Sequence, residues 1–249
     1  MSGAGVVAVT GGSSGIGLAI ARQFLKLGYG VAVCSRSRPP RALSCGIEHF
    51  RVDVRLRKQM FSFVGEVKKR LGPLNIFVNC AGVSRWRPLG QIDEKFASEV
   101  IDTGVLGTLW GCAAAAHAMR SSGCIINVSS LAGKRGSANN SAYCAAKFAV
   151  NGITQALAKE LGPRGIRVNA VCPVYVETEH IVDSLRERFS PAQGRPVGAY
   201  LSQFAKSQAA LGRLPKAEEI AEAVAFLASD KASAITGQCI NVDCGVLPQ

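Results

Sequence analysis

The sequence has no C-x-x-C pair and no apolar run of the ~18 residues that a membrane-spanning helix needs. It also lacks a basic segment leading into an apolar stretch at its start. These absences argue against a secretory signal, a membrane anchor and a disulfide framework. Its nine cysteines are an odd, scattered set, read as reduced, mostly buried small hydrophobes. A soluble protein of a reducing compartment is expected: the cytoplasm, or a mitochondrial matrix or plastid if a transit peptide had been removed. Acid is scarce as well, with 17 Asp and Glu against 29 Lys and Arg and a formal charge of +12. The basic residues are dispersed and no nucleic-acid module accompanies them, so nucleic acid is not the expected partner. An anionic cofactor or an acidic protein partner accounts for the charge, as does a merely solubilising surface.

What is present is an alternation. The 249 residues, 48% of them hydrophobic, suffice for one large core, and a single domain over 1–249 is expected. Apolar, β-branched runs recur at "GVVAVT", "GVAVCS", "IEHFRVDV", "LNIFVN", "GCIINVSS", "GIRVNAVCP" and "GQCINVD". Helical patterns lie between most of them, such as "GLAIARQFLKLG", "FASEVIDTGVLGTLWGCAAAAHAMR", "FAVNGITQALAKELG" and "AEEIAEAVAFLAS". Strands that are apolar on both faces and separated by helices predict an α/β fold. The expected form is a doubly wound, Rossmann-type parallel sheet of about seven strands with helices on both faces and ligands at the strands' carboxyl ends. Two segments depart from the alternation. "RSRPPRALSCG" is too short for a full helix and predicts a basic loop or a single turn, and a long stretch at about 176–214, punctuated by Pro and Gly, predicts a movable lid.

"TGGSSGIG", residues 10–17, follows the first strand and opens a helix. Glycines there let the backbone turn tightly and approach a pyrophosphate, which the free N–H groups of a helix N-terminus then hold. Gly11, Ser13, Ser14, Gly15, Ile16 and Gly17 are therefore candidate cofactor contacts. About twenty residues on, a site that prefers NAD offers an acid to the ribose. Here Ser35 and Arg36 stand in "CSRSRPPR", and a guanidinium suits a 2′-phosphate, so NADP(H) is the expected cofactor. Arg38 and Arg41 also read as solvated loop charges. Asp53, with Val54 beside it, either accepts from the adenine amine or caps a turn.

"YCAAK" places Tyr143 and Lys147 four positions apart, and Ser130 in "IINVSS" lies thirteen residues earlier. A strand end and a following helix start would bring all three beside a nicotinamide. A nearby ammonium and an oxidised nicotinamide both favour the phenolate, and hydrogen bonds from Tyr143 and Ser130 stabilise a developing alkoxide. At this point the sequence resembles the short-chain dehydrogenase/reductase family. The resemblance rests on "TGGSSGIG", "NCAG" at 79–82, Ser130, "YCAAK", "PVYVET" at 173–178 and "ITGQCINVD", in family order.

The resemblance implies Tyr143 as acid/base, Lys147 holding the ribose and lowering the tyrosine pKa, and Ser130 polarising the carbonyl. It further implies that Asn79, Ala81 and Gly82 support the cofactor, with Pro173, Val176 and Thr178 at its carboxamide. Three positions depart from the pattern: Gly104 stands where an Asn usually supports a relay water, Val174 follows Pro173 in place of Gly, and Cys244 replaces a Gly. Within the family the chain looks like 3-oxoacyl-[acyl-carrier-protein] reductases, and Arg164 matches a basic position offered to acyl carrier protein. A general carbonyl, polyketide or quinone reductase is the alternative, and Gly104 keeps open a catalytically weakened cofactor-binding subunit. A homodimer or homotetramer is expected, because the helices around "LGTLWGCAAAAHAM" and "AVNGITQALA" are apolar on more than one side and pair across a two-fold axis in the family.

Overall fold

A computed structural model describes residues 5–37, 43, 45–119 and 121–248. Arg38 and Arg41, with most of the basic loop expected around them, lie outside the described residues. Seven strands form one parallel sheet: β1 Val6–Thr10, β2 Gly30–Ser35, β3 Ile47–Arg51, β4 Leu74–Asn79, β5 Gly123–Val128, β6 Ile166–Pro173 and β7 Cys239–Val242. Their order is β3-β2-β1-β4-β5-β6-β7, so the chain reverses direction across the sheet between β1 and β4. A crevice at the carboxyl ends opens at such a switch point, which is where "TGGSSGIG" lies.

The continuous apolar runs are explained by what covers them. In β1, Val6 and Ala8 face one core with Phe63, Phe77 and Met119, whereas Val7 and Val9 face the other with Ile20, Phe24 and Leu227. The first face is covered by α2 Arg57–Leu71, α4 Gly107–Ala118 and α5 Ser141–Leu161, the second by α1 Gly15–Lys26 and α8 Ala217–Ala228. With helices on both sides, neither residue set of β1 meets water, while the edge strands β3 and β7 are only partly buried. The helix α2 was not singled out in the sequence; it ends where Gly72 takes φ +107.

One further element differs from expectation. The single helix expected over 96–120 is α3 Glu94–Ile101 and α4, joined through a π-helical segment at Asp102–Leu106. Gly104 lies buried in that segment, and a Cβ there would stand 3.0 Å from the Ala146 Cβ of α5. The wide turn thus coincides with a close approach of two helices, an arrangement that often marks a functional position. The 176–214 stretch expected as a lid holds α6 Glu179–Arg186 and α7 Val197–Gln208. The Thr178 hydroxyl caps α6 by accepting from the Ile181 N–H at 3.4 Å, and Pro196 precedes α7.

Candidate active site

Backbone packing fixes the glycine turn. The Thr10 hydroxyl accepts from the N–H groups of Cys80 at 3.0 Å and Ala81 at 3.1 Å, which ties the ends of β1 and β4 together. At Gly17 a Cβ would meet the Gly11 carbonyl oxygen at 2.3 Å, so no other residue fits without moving main chain. Ser14 opens α1 without a side-chain cap, which leaves the helix N-terminus open to an anion. Its hydroxyl instead pairs with His180 Nε2 of α6 at 2.8 Å.

At the end of β2, the Ser35 hydroxyl donates to the Ser37 carbonyl at 3.0 Å and pairs with His49 Nε2 at 2.7 Å. Arg36 beside it is exposed, and its carbonyl accepts from Arg51 Nε. The Asp53 carboxylate is occupied by Arg55, which donates from Nε at 2.9 and 3.0 Å and from Nη2 at 2.6 Å. These bonds from Arg55 hold the Asp53 carboxyl below the usual range, and Asp53 serves its own turn while lining the cavity.

The three candidate catalytic groups converge. Ser130 follows β5, accepting from the Ala132 N–H at 3.1 Å and facing the Pro173 carbonyl at 3.5 Å. Tyr143 lies in the first turn of α5, and Lys147, one turn on, shares its face. The Lys147 ammonium sits 5.6 Å from the Tyr143 ring centroid and donates to the Val128 carbonyl at 2.7 Å. The expected lowering of the tyrosine pKa by lysine does not govern here. Burial pushes the Tyr143 phenol up to about 12, and the hydrogen bond with Ser130 pulls the other way. Burial also lowers Lys147, so both groups are drawn toward their neutral forms and Tyr143 keeps its proton across neutral pH.

A cavity of about 910 Å³ runs from the glycine turn past Ser35, Arg36, Asp53 and Val54 to Ser130, Tyr143 and Lys147. Ala81, Gly82, Pro173, Val176 and Thr178 also line it. Asn79 does not. Its side chain points into the core, donating to Asn127 Oδ1 at 2.9 Å, while Asn127 donates to Thr154 at 2.9 Å. This buried ladder joins β4, β5 and α5, so Asn79 can support the site only through the frame. The glycine turn, the open helix end and the length of the cavity fit a dinucleotide extended across the strand ends.

Several lining groups escaped the sequence reading. Trp86 is buried, with its indole N–H donating to Ser184 Oγ of α6 at 3.0 Å. Glu187, just past α6, accepts from Arg85 Nε at 2.8 Å, the Trp86 N–H at 2.9 Å and Arg87 Nη1 at 3.3 Å. The Tyr175 and Tyr200 hydroxyls meet at 3.3 Å, and Phe204 stacks edge-on against Tyr175. The "RWR" triplet shortly after "NCAG" was the available signal for Trp86; nothing local marks Tyr200. Of the departures, Val174 lines the cavity, and Cys244 takes φ +56, a left-handed backbone that suits glycine better. Arg164 is exposed, and its Nη2 donates to the Ala116 and Met119 carbonyls at 2.6 and 2.8 Å, which closes the end of α4.

Residues 11–247 match the family model described as enoyl-(acyl carrier protein) reductase. The chain is 35% identical over 252 residues to a diacetyl reductase [(S)-acetoin forming] of Staphylococcus aureus, with 97% of each chain covered. It is 34% identical over 249 residues to a 3-oxoacyl-[acyl-carrier-protein] reductase of the same species, with 96% of each covered. The ligand-free structure of an aldohexose dehydrogenase from Thermoplasma acidophilum superposes with a TM-score of 0.89 at 30% identity, covering 98% of this chain and 97% of that one.

Proposed function

Because this chain belongs to the short-chain dehydrogenase/reductase family, whose members exchange hydride between a nicotinamide cofactor and a C=O or CH–OH group, we propose that it is an NADPH-dependent carbonyl reductase. The observation that carries this reading is the convergence of Ser130, Tyr143 and Lys147 at one end of a cavity whose other end is the glycine turn. The nicotinamide, when bound, supplies the hydride. Tyr143, held protonated by burial, donates its phenolic proton to the substrate oxygen, and Ser130 offers that oxygen a hydrogen bond. Lys147 supports the ribose and restores the tyrosine's proton.

Arg36, exposed at the end of β2, favours the 2′-phosphate of NADP(H) over NAD(H). The α6–α7 segment is the lid, clasped by Glu187 and Trp86. The substrate is a ketone within the range that the relatives span, from small diketones to 3-oxoacyl thioesters on acyl carrier protein, or the same acyl group on coenzyme A in place of the carrier protein. The enzyme works as a homodimer or homotetramer, its α4 and α5 faces covered by a second copy. A catalytically silent cofactor-binding role is the weaker reading, since the π segment at Gly104 leaves the three catalytic groups in place. Spectrophotometric oxidation of NADPH with diketones, quinones and 3-oxoacyl thioesters tests the proposal; cofactor binding without turnover of any carbonyl would overturn it.

A further inference from the structure

Away from Lys147, whose ammonium is bonded to the Val128 carbonyl, the substrate side of the cavity carries most of its charges in pairs. Arg85 is satisfied by Glu187 and Glu99, Arg87 by Glu187, and Asp183 by Arg186. Arg135 also lines the cavity and is half-buried, yet none of the ion pairs among the described residues includes it. Its backbone is fixed, because its N–H donates to the Leu131 carbonyl at 3.0 Å in the turn that follows Ser130. The guanidinium is near Tyr175: burial pushes that phenol up, its hydrogen bond with Tyr200 adds to this, and Arg135 pulls the other way. A second observation lies on the same wall. Asn140, just before α5, is 4% exposed and lines the cavity, and its side-chain oxygen has no partner. The segment between Ser130 and Tyr143 therefore presents to the cavity a cation with no counter-charge and a buried carboxamide with an unfilled bond.

An unpaired guanidinium at a partly enclosed wall is a strong, bidentate receptor for a carboxylate or a phosphate, and leaving it empty gains nothing for the fold. We propose that Arg135 binds an anionic group carried by the ketone substrate, with Asn140 holding a polar group nearby. The inference rests on the reading of the protein as a carbonyl reductase and narrows its substrates to keto compounds with a carboxylate or a phosphate on the arm that leads away from Tyr143.

The test compares three ketones that share one reacting group: ethyl acetoacetate, acetoacetate and acetoacetyl-coenzyme A, each with NADPH. The Arg135→Gln variant should lose roughly ten- to a hundredfold in kcat/KM, through KM, on at least one of the two anionic ketones, and less than about threefold on the neutral ester. Arg135→Lys should restore part of the loss. A loss confined to acetoacetate identifies a carboxylate, and one confined to the thioester identifies a phosphate. An equal loss on all three, or no loss on either anion, overturns the proposal while leaving carbonyl reduction standing. Failure of the unmodified protein to reduce any of the three overturns the reductase reading instead for this substrate class. Calorimetric binding of 3-hydroxybutyrate and of 4′-phosphopantetheine then reads the site without turnover. Arg135-dependent binding of either anion supports the inference, and absence of binding by both overturns it.

Discussion

Replacing Glu187 by Gln removes the charge at the centre of the lid clasp while keeping its shape. The carboxylate accepts three bonds, from Arg85 at 2.8 Å, the Trp86 N–H at 2.9 Å and Arg87 at 3.3 Å. It is 20% exposed, against 37% for Arg85 and 26% for Arg87, so water screens the pairs in part. An exposed ion pair contributes about 0–1 kcal/mol and a hydrogen bond to a charged group about 1.5–3 kcal/mol, which places the loss near 2 kcal/mol in total. For a chain of this length that is a fall in melting temperature of roughly 4–8 °C. If about 1 kcal/mol of it is felt in closing α6 over the substrate, KM for the ketone rises about fivefold with little change in cofactor affinity. Calorimetry and steady-state kinetics measure both. Trp86 is one of two tryptophans, so a Trp110→Phe background gives its fluorescence as a direct report of the clasp. A Glu187→Gln protein with unchanged melting temperature and unchanged KM would refute the clasp.

Arg36→Ala should narrow the preference for NADPH over NADH by roughly one to two decades, as read from fluorescence titration of each cofactor, because a charge-assisted phosphate contact contributes about 1.5–3 kcal/mol. Equal affinities in the unmodified protein would remove the basis for that preference. Gly104→Asn should not speed turnover by itself: its Cβ would stand 3.0 Å from the Cβ of Ala146, which is 1% exposed and has no flexible end to move. The expected cost is about 1–3 kcal/mol of overpacking, read as a lower melting temperature, and Gly104→Asn with Ala146→Gly should recover most of it. Light scattering at micromolar concentration should give the mass of a dimer or tetramer, and a monomer mass would contradict the pairing of α4 and α5.

The parallel sheet was legible because its signal is local and repeated. Seven β-branched, largely apolar runs, the central ones buried on both faces, need only pattern and length to be recognised. The glycine turn and the Ser130, Tyr143 and Lys147 set were legible for the same reason, since each sits at a strand end or on one helix face. What escaped depends on contacts across long sequence separations. Trp86 meets Ser184, Glu187 gathers Arg85 and Arg87, and His180 meets Ser14 only once α6 has folded back over the strand ends. Asn79 misled because a motif names a residue without saying which way its side chain points; here the amide belongs to the ladder through Asn127 to Thr154. The π segment at Asp102–Leu106 was invisible because its apolar periodicity differs little from that of an α-helix, and the glycine that accompanies it reads as a weak position rather than a close approach.

The central claim is that Tyr143 gives its proton to a carbonyl oxygen beside a bound nicotinamide, and Tyr143→Phe tests it most directly. The substitution keeps the ring and its packing and removes only the hydroxyl. With NADPH and the best ketone, the steady-state rate of the variant should fall roughly 10²–10⁴-fold, with cofactor affinity held within about threefold. In the unmodified protein, reduction should persist through neutral pH and decline only as the phenol ionises, since burial pushes its pKa up to about 12. A Tyr143→Phe protein that reduces the same ketone at the parent rate would contradict the account.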